Sequence, residues 1–141
     1  MIVLDTNVIS EPLRAAGEPR VRAWLNEQSP ETLYTTALNI AELLAGVALL
    51  PAGKRKRELD RRLRASLSRL FQGRVLLFDL AAAESYAQIA GEARRAGRTV
   101  PHEDGLIAAI ARAHGFAVAT RNVSNFAGAG VELINPWDLA R

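Results

Sequence analysis

Five short apolar runs stand out along the chain, and the segments between them repeat their apolar residues at helical spacing. The runs are Ile2–Leu4, Thr32–Thr36 (TLYTT), Val75–Phe78 (VLLF), Phe116–Ala119 (FAVA) and Val131–Ile134 (VELI). Each is short, apolar or β-branched, and bounded by polar or turn residues, which predicts buried strands, the fifth being the weakest. Between them, Val8 to Leu13 predicts a short helix, and Pro19 fits the first turn of a second that continues through VRAWLNEQ. A third helix is expected from about Ile40 to Leu50, stopped by Pro51 and Gly53, and a fourth over 54–71, ending near Gly73. Ala81 to Arg95 is alanine-rich and reads as helix despite Gly91, and a last helix runs from about Asp104 to Gly115. Strands alternating with helices imply βαβ units. The expected fold class is therefore α/β, with a central parallel sheet of four to five strands sandwiched by helices.

At 141 residues the chain suits one domain, 1–141, with a proper core. It has no cysteine, which excludes disulfides and thiolate metal sites and fits a reducing, cytoplasmic location. No apolar run approaches the roughly 20 residues a membrane span needs, so a soluble protein is expected. Met1–Leu4 is too short for a secretory leader, which assigns Asp5 to the folded protein.

The formal net charge is only +3, but it is unevenly placed. The stretch KRKRELDRRLR (54–64) carries a net +5, leaving −2 for everything else. Such a ridge can attract phosphate. It can equally be the solvated face of a helix whose Leu59, Leu63, Leu67 and Leu70 turn inward.

Charge of the other sign collects at one predicted edge. Asp5 follows the first strand, Glu42 lies in the opening turn of the helix after the second, Asp104 opens the helix before the fourth, and Asn122 follows that fourth strand. In a parallel sheet these strand ends face the same way, where open α/β folds bind their ligands. Clustered carboxylates repel, so one takes up a proton unless a cation neutralises them. Oxygen-only donors suit Mg²⁺ or Mn²⁺, and neither His102 nor His114 has a metal-ligating spacing to these acids. Such a centre points to hydrolysis of phosphate esters. Each acid also has a purely structural explanation: Asn39 and Glu42 as an N-cap pairing, Asp104 on a helix dipole, and Asp5 as a turn former.

Five segments, LDTNVISE (4–11), NIAELLAG (39–46), DGLIAAIA (104–111), ATRNVSNF (119–126) and NPWD (135–138), resemble the PIN-domain proteins, and among them the VapC and FitB-like toxins of bacterial toxin–antitoxin pairs. The resemblance runs through nearly the whole chain in the family's order. It implies a Mg²⁺- or Mn²⁺-dependent ribonuclease on an α/β/α sandwich. Asp5, Glu42 and Asp104 match the acids that hold the metal and position water. Thr6 matches a hydroxyl residue beside the first acid, and Asn7 is either a positioning group for Asp5 or a helix cap. Many relatives supply a fourth acid after the fourth strand. Here Asn122 and Asn125 stand there instead, so a site charge of −3, weaker metal binding and one well-held ion are expected. Arg121 pairs either with a substrate phosphate or in a surface ion pair.

The resemblance further implies a homodimer and a small VapB-like antitoxin covering the active-site groove. The first helices and the 37–71 hairpin, with Leu43, Leu44, Val47, Leu49 and Leu50, are candidate surfaces, although most of these leucines belong to a core. Two other functions are compatible with parts of the pattern. An aspartyl-phosphate phosphatase also places an Asp after its first strand but wants an acid where Asn7 stands. A degenerate domain would bind RNA or protein without cutting, yet only Trp24 and Trp137 offer large stacking surfaces. Sequence-specific DNA binding by this chain alone is not expected, because no helix-turn-helix or ribbon signature is present.

Overall fold

The structure, a computed structural model, describes residues 1–139. Its strands are β1 (Ile2–Leu4), β2 (Leu33–Thr36), β3 (Val75–Leu76), β4 (Ala117–Ala119) and β5 (Leu133–Ile134). All neighbours pair parallel, in the order β3-β2-β1-β4-β5. The helices are α1 (Thr6–Ser10), α2 (Pro19–Glu27), α3 (Ala37–Ala48), α4 (Lys54–Phe71), α5 (Leu80–Arg95), α6 (His102–His114) and α7 (Val123–Phe126). The expected α/β architecture is present with all five strands, each within the run that predicted it.

Both faces of the sheet are covered, which is why its strands read as continuous apolar runs rather than alternating ones. Leu4 and Ala119 face one core, with Val8, Trp24, Leu43, Leu63 and Phe71 from the α1–α4 side. Val3 and Val118 face the other, with Ile89, Ile107 and Phe126 from α5, α6 and α7. From β1 the chain winds to β2 and β3 on one side, then crosses to β4 and β5 on the other. The winding reverses between β1 and β4, and a crevice opens there at the carboxyl ends of the strands.

Several boundaries move from their expected places for identifiable reasons. Helix α3 starts at Ala37 rather than Ile40, because Thr36 and not Asn39 caps it: the Thr36 hydroxyl accepts the Asn39 N–H at 3.2 Å. The expected N-cap pairing of Asn39 with Glu42 is thereby corrected, and Glu42 lies in the second turn. The first helix begins at Thr6, capped by Asp5, and tightens into a 3₁₀ turn over Glu11–Leu13. Helix α6 begins at His102, two residues before Asp104, and ends where Gly115 takes a left-handed φ of 71°. Helix α7, just after β4, has too few apolar positions to show a period and was not expected from the pattern.

Candidate active site in the β1/β4 crevice

Asp5 is delivered to the crevice by β1 and is only 4% exposed. Its backbone N–H donates to the Ala119 carbonyl of β4 at 2.9 Å, which locks the two strand ends together. The carboxylate is then gripped from three directions. Oδ1 accepts the Thr6 N–H and the Asn39 Nδ2–H, each at 2.9 Å, and Oδ2 accepts the Thr120 hydroxyl at 2.7 Å. Burial pushes the Asp5 pKa up, the Thr120 and Thr6 hydrogen bonds pull it back, and the charge of Glu42 raises it again; the upward influences win. The capping role and the site role therefore coexist in one side chain.

Asn39 sits at the centre of this polar core and is fully buried. Its Oδ1 accepts the Thr36 hydroxyl at 2.7 Å, while its Nδ2 reaches both Asp5 Oδ1 and Thr6 Oγ1, the latter at 3.1 Å. The Thr6 hydroxyl in turn donates to Glu42 Oε2 at 2.9 Å. One chain of hydrogen bonds thus runs from the end of β2 through α3 to the start of α1, and it aims Asp5 and Glu42 at the same space.

Helix α6 brings two acids. Asp104 has its pKa raised by burial first and then by the charge of Asp5, against a hydrogen bond from Asn125 that lowers it. Glu103 was not foreseen from the pattern. Its carboxyl lies within hydrogen-bonding reach of Glu42 and feels Asp104 and Asp5 as well, so its pKa is raised by burial and by these like charges. Four carboxylates meet at this edge, one more than the pattern predicts. The signal was in the sequence, since Glu103 precedes Asp104. It pointed nowhere until the helix start was known, because the first-turn geometry decides that both acids turn to one side.

The other expected site residues divide. Asn125 contacts Asp104, whereas Asn122 is exposed and gives its backbone N–H to Thr120 Oγ1 at 3.0 Å. Asn125, not Asn122, is thus the amide that joins the acids. Asn7 does not cap α1, a role that Asp5 takes; its Oδ1 accepts the Arg121 N–H at 3.2 Å and ties α1 to the loop after β4. As an amide, Asn7 also cannot serve as the general acid a phosphatase would need at this position. The Arg121 guanidinium stands over the Trp137 ring at 5.2 Å and forms no ion pair within 4 Å among the described residues. Trp24 and Trp137 are both buried and offer no platform for stacked bases. Thr120 and Asn39 are the positioning residues that sequence pattern alone passed over.

The donor set is made of hard oxygens, with net repulsion that a cation relieves, and this fits Mg²⁺ or Mn²⁺. Among the described residues no group of three or more acidic or histidine side chains is placed to hold a metal ion together. Mg²⁺ commonly keeps several waters and takes only one or two carboxylates, so an open arrangement suits it. Beside Glu42 and Thr6 lies a cavity of about 960 Å³, whose walls also include Leu43, Arg55, Glu58 and Arg62.

Comparison with known proteins matches the PIN domain over residues 2–129. The chain is 49% identical over 140 residues to VapC ribonuclease Y4jK of Sinorhizobium fredii, covering 99% of this chain and 100% of that protein. It is also 49% identical over 137 residues to toxin FitB of Neisseria gonorrhoeae, covering 97% and 99% respectively. The crystal structure of FitAcB from Neisseria gonorrhoeae superimposes with a TM-score of 0.93 at 49% identity, covering 99% of this chain and 100% of the matched one.

Proposed function

We propose that this chain, which belongs to the PIN-domain family, is a metal-dependent endoribonuclease and the toxin of a toxin–antitoxin pair. What carries the proposal is the convergence of Asp5, Glu42, Glu103 and Asp104 from three elements on one crevice. The names of its relatives, a VapC ribonuclease and a toxin, support both halves of it. Asp5, Glu42 and Asp104 are the assigned metal ligands, with Mg²⁺ or Mn²⁺ as the ion. When bound, the cation polarises a phosphoryl oxygen and lowers the pKa of water.

The residues of the chain supply the remainder. Thr6, Asn39 and Thr120 fix the Asp5 carboxylate, so little reorganisation is needed as charge develops. Thr6 also sets the rotamer of Glu42. Glu103 accepts the proton that the attacking water gives up, a role its raised pKa beside Glu42 suits. Asn125 orients Asp104. Arg121, braced on Trp137, is available to a neighbouring phosphate.

A protein antitoxin and a second copy of the chain are the proposed partners, and the cytoplasm the proposed location. No helix among the described residues is long and apolar enough to cross a membrane. The test is cleavage of a mixed pool of structured RNA by the purified, partner-free chain in Mg²⁺ or Mn²⁺, with EDTA and Asp5→Asn as controls. Cutting that vanishes in both controls is expected. A folded chain that leaves the whole pool intact with either ion would sink the nuclease proposal and favour a binding domain that has lost its chemistry.

A further inference from the structure

Helix α4 carries the basic ridge of the sequence, and its cations differ in what holds them. Arg61 is bonded twice to Glu58, at 2.6 and 3.3 Å, and Arg64 twice to Asp60 at 3.1 Å. Lys56 donates to the Ala48 carbonyl at 2.9 Å. Arg55, Arg62 and Arg69 are exposed, and no ion pair holds them among the described residues. They recur every seven residues. Because a heptad drifts only about 20° around a helix, the three lie in one stripe. At 1.5 Å per residue the stripe is roughly 21 Å long.

That stripe lines a trough made of two joined cavities. The first, of about 960 Å³, has Thr6 and Glu42 in its wall together with Arg55 and Arg62. The second, of about 430 Å³, has Arg62, Arg69 and the ion-paired Arg61 in its wall, with Arg22 from α2. The two cavities meet at Leu13 and Arg62. One end therefore reaches Glu42 of the acid cluster, and the rest is edged mainly with guanidinium groups, with Glu58 among them, over a floor of Leu43, Val47, Leu59 and Leu63. A ligand that fits must be a linear polyanion with apolar or planar parts, one of whose anionic units reaches the acid end. Unpaired arginines at regular intervals suit successive phosphates better than a single acidic side chain, since guanidinium binds phosphate oxygens bidentately.

We propose that Arg55, Arg62 and Arg69 form a track for the backbone of single-stranded RNA, leading the strand from the α2–α4 cleft to the acid cluster. This rests on the nuclease assignment for its choice of ligand. The floor carries no aromatic ring to stack on, so the track binds by charge and holds the strand in register without selecting bases.

The experiment measures binding of a short fluorescein-labelled RNA of mixed sequence by anisotropy in EDTA, across a range of salt concentrations, so that cleavage does not enter. The triple variant R55A/R62A/R69A is compared with wild type and with R57A/R64A/R94A, which removes the same charge from positions outside the trough. Circular dichroism melting confirms that all three proteins fold. The track variant is expected to bind at least about tenfold more weakly and to lose about 2 from the salt slope, whereas the control variant keeps the wild-type slope. Equal losses in the two variants would reduce the effect to net charge and overturn the track. Wild-type RNA affinity in the track variant would also overturn it. So would a variant that binds RNA normally but no longer co-purifies with an antitoxin that wild type retains, because the trough would then be a protein groove. Wild-type protein that binds in EDTA yet cuts nothing with Mg²⁺ or Mn²⁺ would defeat the nuclease proposal while supporting the track.

Discussion

Asp5 is the residue around which the site is built, and its environment is a contest. Burial disfavours the carboxylate, and three hydrogen bonds favour it. Replacing Thr120 by Val removes the shortest of those bonds and leaves Oδ2 without its donor in a buried pocket, a loss of about 1–3 kcal/mol for an unsatisfied group. With a lowering influence gone, the Asp5 pKa rises further. The acidic limb of the kcat/KM profile is expected to move to higher pH in Thr120→Val and to return in Thr120→Ser, which keeps the hydroxyl. An unmoved limb in the Val variant would show that the ionisation of Asp5 does not set the profile. Thr120 illustrates what single-residue signals miss. Nothing in ATRN marks the threonine, because its partner is 115 positions away. Asp5 was legible because it breaks an apolar run at a place where the fold puts ligands.

Among the elements, α6 decides how many acids reach the crevice. The amphipathic pattern of DGLIAAIARAH predicts the helix and its end at Gly115, but it begins only at Asp104, two residues after the observed start, and so gives Glu103 no place on the helix. A first turn of HED has no apolar residue to announce it, and Pro101 is the only local sign. Helix α3 shows the same weakness: Thr36 serves as both the last residue of a strand and the cap, and strand propensity masked the second role. The position of α6 itself rests on Gly105. A Cβ there would stand 3.2 Å from the Tyr86 ring and 3.4 Å from Val100, closer than the α5–α6 packing allows without movement. Gly105→Ala is expected to cost about 1–3 kcal/mol in denaturant unfolding, the range for overpacking, and to displace the neighbouring Asp104. Cleavage should fall by more than Gly91→Ala reduces it, since a Cβ at Gly91 meets only the flexible end of Arg95. Equal, small effects from the two would mean that α6 has slack at its N-terminus.

At the scale of the whole molecule, the reversal of winding between β1 and β4 concentrates like charge in one crevice, and stability must register it. Strand order was not readable from the apolar runs, which say only that each strand is buried; it emerges from which helices cover which face. A carboxylic acid whose pKa is raised on folding binds more protons folded than unfolded, so its contribution to stability declines as pH climbs from the ordinary carboxylate range through the raised values. Asp5 at the end of β1 and Glu103 and Asp104 on α6 all act in this direction, with Glu42 of α3 as a source of the repulsion. Glu18, Glu58 and Glu92, lowered by hydrogen bonds from Arg20, Arg61 and Arg112, act in the opposite direction as pH falls. Glu58 is exposed and Glu18 and Glu92 are only half-buried, and ion pairs open to water in this way contribute little. In EDTA the chain is therefore expected to melt at a higher temperature near about pH 5.5 than near about pH 7.5. Mn²⁺ should reverse that order, because a cation bound only by the folded state adds about 2.7 kcal/mol at a hundredfold excess over its Kd, and protons compete with it at the lower pH. Glu103→Gln removes one repelling charge, so the EDTA melts should become flatter with pH and the Mn²⁺ gain smaller. If Mn²⁺ shifts the melting of wild type and Asp5→Asn equally at the higher pH, the ion is binding elsewhere and the crevice is not its site.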